Sequence, residues 1–161
     1  MIHKLLPVDF DDILAVVNDA AQVYKGIIPA DRWKEPYMPA KELKKEIADG
    51  VEFYGFKEDG TLLGVMGIQR VRDVTLIRHA YVIRSNQRKR IGEKLLNRLK
   101  GLAKTSTVLV GTWEAAWWAM RFYEKHGFTL VPTDEKNRLL RKYWQIPERQ
   151  VKTLVVLKLN K

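Results

Sequence analysis

Cysteine is absent from this chain, and the absence excludes two kinds of protein. There can be no disulfide scaffold, and no thiol can carry an acyl group as a covalent intermediate. Long apolar runs are missing too: nothing approaches the roughly 18 consecutive apolar residues that a spanning helix requires. The opening M-I-H-K-L-L-P-V lacks both the apolar core and the small-residue cleavage site of a secretory leader, so a soluble, cytoplasmic protein without membrane attachment is expected. His3, His79 and His126 show no ligand spacing, and without cysteine a structural zinc site has no ready donors; no metal is expected. Low-complexity tracts, repeats and linkers are absent as well, so residues 1–161 are expected to form a single domain.

Acidic residues are in short supply. Nineteen Asp and Glu stand against 29 Lys and Arg, a net charge of +10 that attracts polyanions of every kind. The excess is spread along the chain, and no recognition-helix or aromatic-basic RNA-binding pattern accompanies it, so no specific nucleic-acid partner is expected. What the chain does have is core material, with 46% apolar residues and five Trp in 161 residues.

Residues 1–8 read as a short first strand. Asp9 and Asp12 open an amphipathic helix whose Ile13, Leu14, Val17, Ala20, Ala21 and Tyr24 share a face until Gly26. Pro29, Pro36 and Pro39 break up the next segment, and residues 41–49 resume as a short helix. Residues 51–57 and 62–71 are strand-like and joined by Glu58-Asp59-Gly60-Thr61, a hairpin signal. Residues 74–83 make a third strand of this group. Residues 129–131 and 151–159 complete the strands; between them, Leu139-Leu140 and Tyr143-Trp144 suggest either a strand extension or a loop. The pattern is α/β, with antiparallel strands first and a right-handed crossover that lays residues 108–110 parallel to the third strand of the group.

The densest information lies at Gln87-Arg88-Lys89-Arg90-Ile91-Gly92, between the apolar run Ala80-Tyr81-Val82-Ile83 and the helical pattern Leu95, Leu96, Leu99, Leu102. A strand that ends in a basic turn and passes into a helix directs unpaired backbone N–H groups and the helix's positive end at one spot. That spot is a phosphate cradle. Arg88, Lys89 and Arg90 surround it with cations, and Gly92 allows a close approach to the first turn.

This strand, turn and helix resemble motif A of the GNAT superfamily of acyl-CoA-dependent N-acyltransferases: Gln or Arg, two residues, Gly, one residue, then Gly or Ala. The pattern's first glycine falls on Arg90. Further on, A-M-R-F-Y-E-K-H-G-F (residues 119–128) resembles the second signature, a helix carrying Phe-Tyr and closed by Gly-Phe, with T-V-L-V-G-T between the two as the buried strand. The resemblance spans residues 76–128. It implies a single-domain, mixed and mostly antiparallel sheet with a splayed parallel central pair, flanked by helices.

The resemblance also implies a chemistry. Acetyl-CoA would be the co-substrate, its pantetheine arm against the backbone of Ala80, Tyr81 and Val82 and its pyrophosphate on Gln87, Arg88, Lys89, Arg90, Ile91 and Gly92. Tyr123 would protonate the departing thiolate, since a phenol of pKa about 10 can share a proton with a thiol of about 8.5. The family's strand-five glutamate corresponds to Gly111, which leaves Glu114 and His79 as candidates for the base, with water as a relay. An asparagine common in the family corresponds to Ala116. Without cysteine, direct transfer in a ternary complex is expected. A small amine is preferred to a protein as acceptor because Trp33, Tyr37 and Trp144 crowd the expected entrance, whereas Trp113, Trp117 and Trp118 are read mostly as core. A homodimer is compatible with the sequence. The alternative is a catalytically degenerate module that only binds acyl-CoA or polyanions.

Overall fold

The computed structural model describes residues 1–87 and 89–161; Arg88, one of the expected cradle residues, lies outside the described residues. Among these, the elements alternate as β1 (Ile2–Lys4), α1 (Phe10–Ala20), α2 (Ala40–Ala48), β2 (Glu52–Glu58), β3 (Thr61–Val71), β4 (Val74–Val82), α3 (Ile91–Leu102), β5 (Thr107–Trp113), α4 (Trp117–Lys125), β6 (Thr129–Leu130), α5 (Thr133–Tyr143), α6 (Glu148–Val151) and β7 (Leu154–Asn160). The strands form one sheet in the order β1-β2-β3-β4-β5-β7-β6, in which only β4 and β5 run parallel among the described residues. This is the mixed α/β architecture that the sequence implied.

Local chemistry accounts for most of the elements. In α1, Ile13, Val16, Val17 and Ala20 recur at helical spacing and are buried; the helix then tightens into a 3₁₀ turn through Tyr24 and stops at Gly26, whose φ is +80°. Asp9 stands at the head of α1, but its carboxylate turns back to accept the Leu6 N–H at 2.7 Å and the Lys57 ammonium at 2.9 Å. It ties the helix start to β2. The Asp59-Gly60 turn holds φ of +51° and +78°, the positive pair that a two-residue hairpin requires.

Helices α1, α2 and α5 cover one face of the sheet, while α3 and α4 cover the other. Helix α3 lies unusually close to β3 because Gly64 has no β-carbon: one placed there would stand 2.8 Å from Ile91 Cγ2. Absence of a side chain in β3 thus sets how deep the head of α3 sits.

One sequence expectation needs correction. Residues 133–143, expected as strand or loop, form helix α5. Lys136, Leu140 and Tyr143 lie at helical spacing on its buried face, and the Lys136 ammonium is satisfied there by the Val151 carbonyl at 2.8 Å. A buried lysine disguised the apolar stripe. Of the Trp113, Trp117 and Trp118 cluster, read mostly as core, Trp117 is the exception: it is 57% exposed, with the Arg121 guanidinium 4.9 Å above its ring.

Candidate active site

Strands β4 and β5 pair only over residues 74–77 and 107–110. Beyond Ile77 the register of β4 against β3 slips: Gly67 faces Arg78, while Val65, two residues earlier, faces Tyr81, three residues later. The extra residue makes a bulge, and within it His79 has φ of +52°. A bulge bends and twists its strand. Here the backbone of Ala80, Tyr81 and Val82 is left without a partner on the β5 side, while β5 continues to Trp113 against β7.

A cleft of about 620 Å³ opens at this splay. Residues 80–82 and Val65 and Met66 of β3 line one side; Trp118, Phe122 and Tyr123 of α4 line another; Tyr24 and Ile27, after α1, lie opposite. Gln87, Arg90, Gly92 and Glu93 bring the head of α3 to its end. Volume and lining are those of a small-molecule site: mostly apolar walls with a few convergent polar groups.

The head of α3 presents backbone N–H groups at one end of the cleft. The first helical bond runs from the Lys94 N–H to the Arg90 carbonyl at 3.1 Å, so the amides of Ile91, Gly92 and Glu93 precede the ladder. Arg90 caps the helix with φ +59° and ψ +24°, a left-handed conformation that suits glycine far better than arginine. Its side chain is 81% exposed and meets the Glu93 carboxylate only loosely, at 3.9 Å. A β-carbon added to Gly92 would lie 3.5 Å from the Phe122 ring, an ordinary contact, so atoms beyond it would enter the cleft. Lys89 does not line the cleft; its ammonium stands 3.9 Å from Glu58.

Tyr123 is 4% exposed, held edge-on between Phe122 and Phe128 with ring centroids 5.2 and 5.6 Å away. Burial, and then the nearby Tyr24 phenol, push its pKa well above that of an ordinary tyrosine. The phenol is neutral at any physiological pH. A second group of phenols stands across the splay, where Tyr37 accepts the Trp113 indole N–H at 2.8 Å and the hydroxyls of Tyr24, Tyr37 and Tyr81 gather closely enough to perturb one another. Burial raises the pKa of all three. Trp33 stacks on Tyr37 with centroids 5.8 Å apart.

The base candidates lie elsewhere. His79 is outside the lining; its ring is stacked between Phe53 and Tyr81, and its Nε2 meets Glu46 Oε1 at 2.8 Å. Glu114 is exposed beyond β5, its N–H bonded to the Thr153 carbonyl at 2.9 Å. Ala116 is fully buried at the head of α4. Sequence reasoning missed Tyr24 and Phe122 as cleft residues, because apolar faces that line a cavity carry the same periodicity as faces that fill a core.

The profile of the acetyltransferase (GNAT) domain matches residues 17–139, three quarters of the chain. The chain belongs to the GNAT acetyltransferase family. No curated protein matches it in sequence. Among solved structures it is similar to the PaiA N-acetyltransferase of Thermoplasma acidophilum, determined in complex with coenzyme A, at 18% identity over 100% of this chain and 98% of that one, TM-score 0.76. It is also similar to the ribosomal-protein-S18-alanine N-acetyltransferase of Escherichia coli, at 15% identity over 99% and 92% of the two chains, TM-score 0.66. A third is the N-acetylglutamate synthase of Neisseria gonorrhoeae in complex with coenzyme A and N-acetylglutamate, at 18% identity over 99% of this chain but 34% of that one, TM-score 0.66.

As a GNAT member the chain is an acyltransferase, and its departures from the family pattern can be placed. Arg90, at the position of the pattern's first glycine, has a left-handed backbone. At Gly111 the space that a longer side chain would need is occupied by the Trp144 indole, with Cζ2 3.4 Å from a would-be β-carbon.

Proposed function

We propose that this chain moves an acetyl group from acetyl-CoA to a primary amine, preferably on a small molecule, by direct transfer within a ternary complex. One observation carries the reading: the edge at residues 80–82 that β5 leaves unpaired, the first turn of α3 at Gly92 and Glu93, and the buried Tyr123 all border a single cleft. Unpaired strand edge suits an amide-bearing arm, and a ring of amides suits a diphosphate. A slot between apolar walls suits the chain that joins them.

In this reading Gln87, Arg90, Ile91 and Gly92 hold the diphosphate, and the backbone of Ala80, Tyr81 and Val82 aligns the arm. Lys89 supplies charge from outside the lining. Bound acetyl-CoA supplies an acyl group activated as a thioester. A backbone N–H near Val82 polarises the thioester carbonyl, as an oxyanion-type donor does. Tyr123, neutral and close to Tyr24, gives its proton to the sulfur as the thiolate departs. The amine must be uncharged to attack, and with His79 and Glu114 both outside the lining its proton leaves through water. Zero cysteines leave no thiol for a two-step route.

Free coenzyme A release, measured over a panel of amines, polyamines, amino acids and peptides, tests the proposal. Turnover with at least one small amine is expected. Calorimetric binding of acetyl-CoA without turnover on any acceptor would reduce the protein to a binding module, and absence of binding would remove the reading altogether.

A further inference from the structure

The bulge in β4 is gripped by a carboxylate that does not line the cleft. Glu46, on α2, uses one oxygen, Oε1, to accept hydrogen bonds from the Arg78 guanidinium at 2.6 Å and from Nε2 of His79 at 2.8 Å. Its side chain is 12% exposed, and the other oxygen, Oε2, is buried with no partner among the described residues. Burial works to raise the pKa of Glu46, but the hydrogen bond from His79 and the neighbouring Arg78 guanidinium outweigh it, and the carboxyl stays ionised. A half-satisfied buried carboxylate carries a desolvation cost that its hydrogen bonds offset only in part.

What it holds is His79, whose φ of +52° is unfavourable for any residue with a β-carbon. The imidazole is fixed three ways: by Glu46, by the Phe53 ring with centroids 6.0 Å apart, and by the Tyr81 ring at 6.4 Å. Tyr81 in turn lines the cleft. An unbroken run of contacts therefore leads from α2 through His79 to the free strand edge.

We propose that Glu46 and His79 form a latch that sets the β4 bulge, which makes Glu46 a positioning residue for the acyl donor. The inference rests on the acyl-CoA reading of the cleft. Release of the latch lets His79 return to an extended conformation, slides residues 80–82 back toward regular pairing and narrows the splay. The arm then loses its backbone partners, while the phenol of Tyr123, carried by α4, stays where it is. The effect falls on donor binding and spares the chemical step at saturation.

Three variants test this: E46Q, H79G and the double variant E46Q/H79G. Amide hydrogen exchange at residues 80–82 in the ligand-free protein reads the bulge alone, and calorimetry with coenzyme A reads the cleft. In E46Q, exchange at residues 80–82 should change on the order of tenfold and the KM for acetyl-CoA should rise by a similar factor, with kcat nearly kept. Glycine takes positive φ freely, so the double variant should recover much of both losses. Wild-type exchange and KM in a folded E46Q protein overturn the latch. So does a double variant no better than E46Q. Should E46Q fail to fold, E46D withdraws the same charge by one methylene, and wild-type behaviour there overturns the latch equally. If the wild-type protein ignores coenzyme A while E46Q still alters exchange at residues 80–82, the acyl-CoA reading fails and the latch stands.

Discussion

The indole of Trp144 lies over Gly111, with Cζ2 3.4 Å from the position a β-carbon would take there. In the family that this chain belongs to, a glutamate often stands at that point of the fifth strand, placed to receive the proton of the attacking amine. Here the strand has surrendered the side chain and the residue after α5 has covered the gap. A half-buried indole in place of a carboxylate avoids a desolvation cost and adds apolar contact. In the mechanism proposed above, the amine's proton is then left to solvent.

Tyr123→Phe removes one oxygen from a ring packed on both sides. Its hydroxyl has no protein partner among the described residues, so the melting temperature should barely move. Turnover should fall on the order of 10²-fold with acetyl-CoA affinity unchanged, the signature of a lost proton donor. Stopped-flow detection of thiol release checks this, and a wild-type rate would remove Tyr123 from the mechanism.

Gly92 separates backbone approach from side-chain bulk. Gly92→Ala adds a methyl at ordinary distance from Phe122 and should bind coenzyme A nearly as the wild type does. Gly92→Leu carries its branch into the cleft and should weaken binding on the order of 10-fold or more. Equal affinity of the two variants in calorimetry would contradict the cradle.

Arg90 joins a strained backbone to a useful charge. The left-handed conformation costs a residue with a β-carbon about 1 kcal/mol or somewhat more, so Arg90→Gly should melt above Arg90→Ala by a few degrees. Both variants lose the guanidinium and should bind coenzyme A more weakly than the wild type, with a flatter dependence on salt. Calorimetry across an ionic-strength series and thermal melts read the two effects separately.

The carboxylate of Asp9 predicts a pH dependence. Its pKa is lowered first by the Leu6 N–H and next by the Lys57 ammonium. A group with a depressed folded pKa contributes stability above its unfolded value, near 4, and loses that contribution as pH falls through the folded value. Wild-type melting temperature should therefore fall more steeply below about pH 4 than that of Asp9→Asn, which lacks the titration. Parallel curves would assign no such role to Asp9.

Much of this fold was legible because local chemistry and global topology agreed. Asp59-Gly60 announced its hairpin, the spacing of Leu95, Leu96 and Leu99 announced α3, and the order of basic turn, buried strand and Phe-Tyr helix fixed the parallel pair. Helix α5 was hidden because Lys136 interrupts its apolar stripe, while Leu139-Leu140 and Tyr143-Trp144 mimic strand doublets. The bulge was hidden for a different reason: His79 sits inside an apolar strand with no glycine to advertise a positive φ. Tyr24, Tyr37 and Tyr81 are far apart in sequence, and only the fold brings their hydroxyls together.

The ammonium of Lys136, sealed beneath α5 against the carbonyl of Val151, bears on how such a protein ages among reactive thioesters. Surface amines collect stray acyl groups in proportion to their contact with solvent, without assistance from any enzyme. Lys136 is shielded from that weathering as long as its helix is seated. An acyl mark on this nitrogen would therefore be a record that α5 had lifted away from Val151.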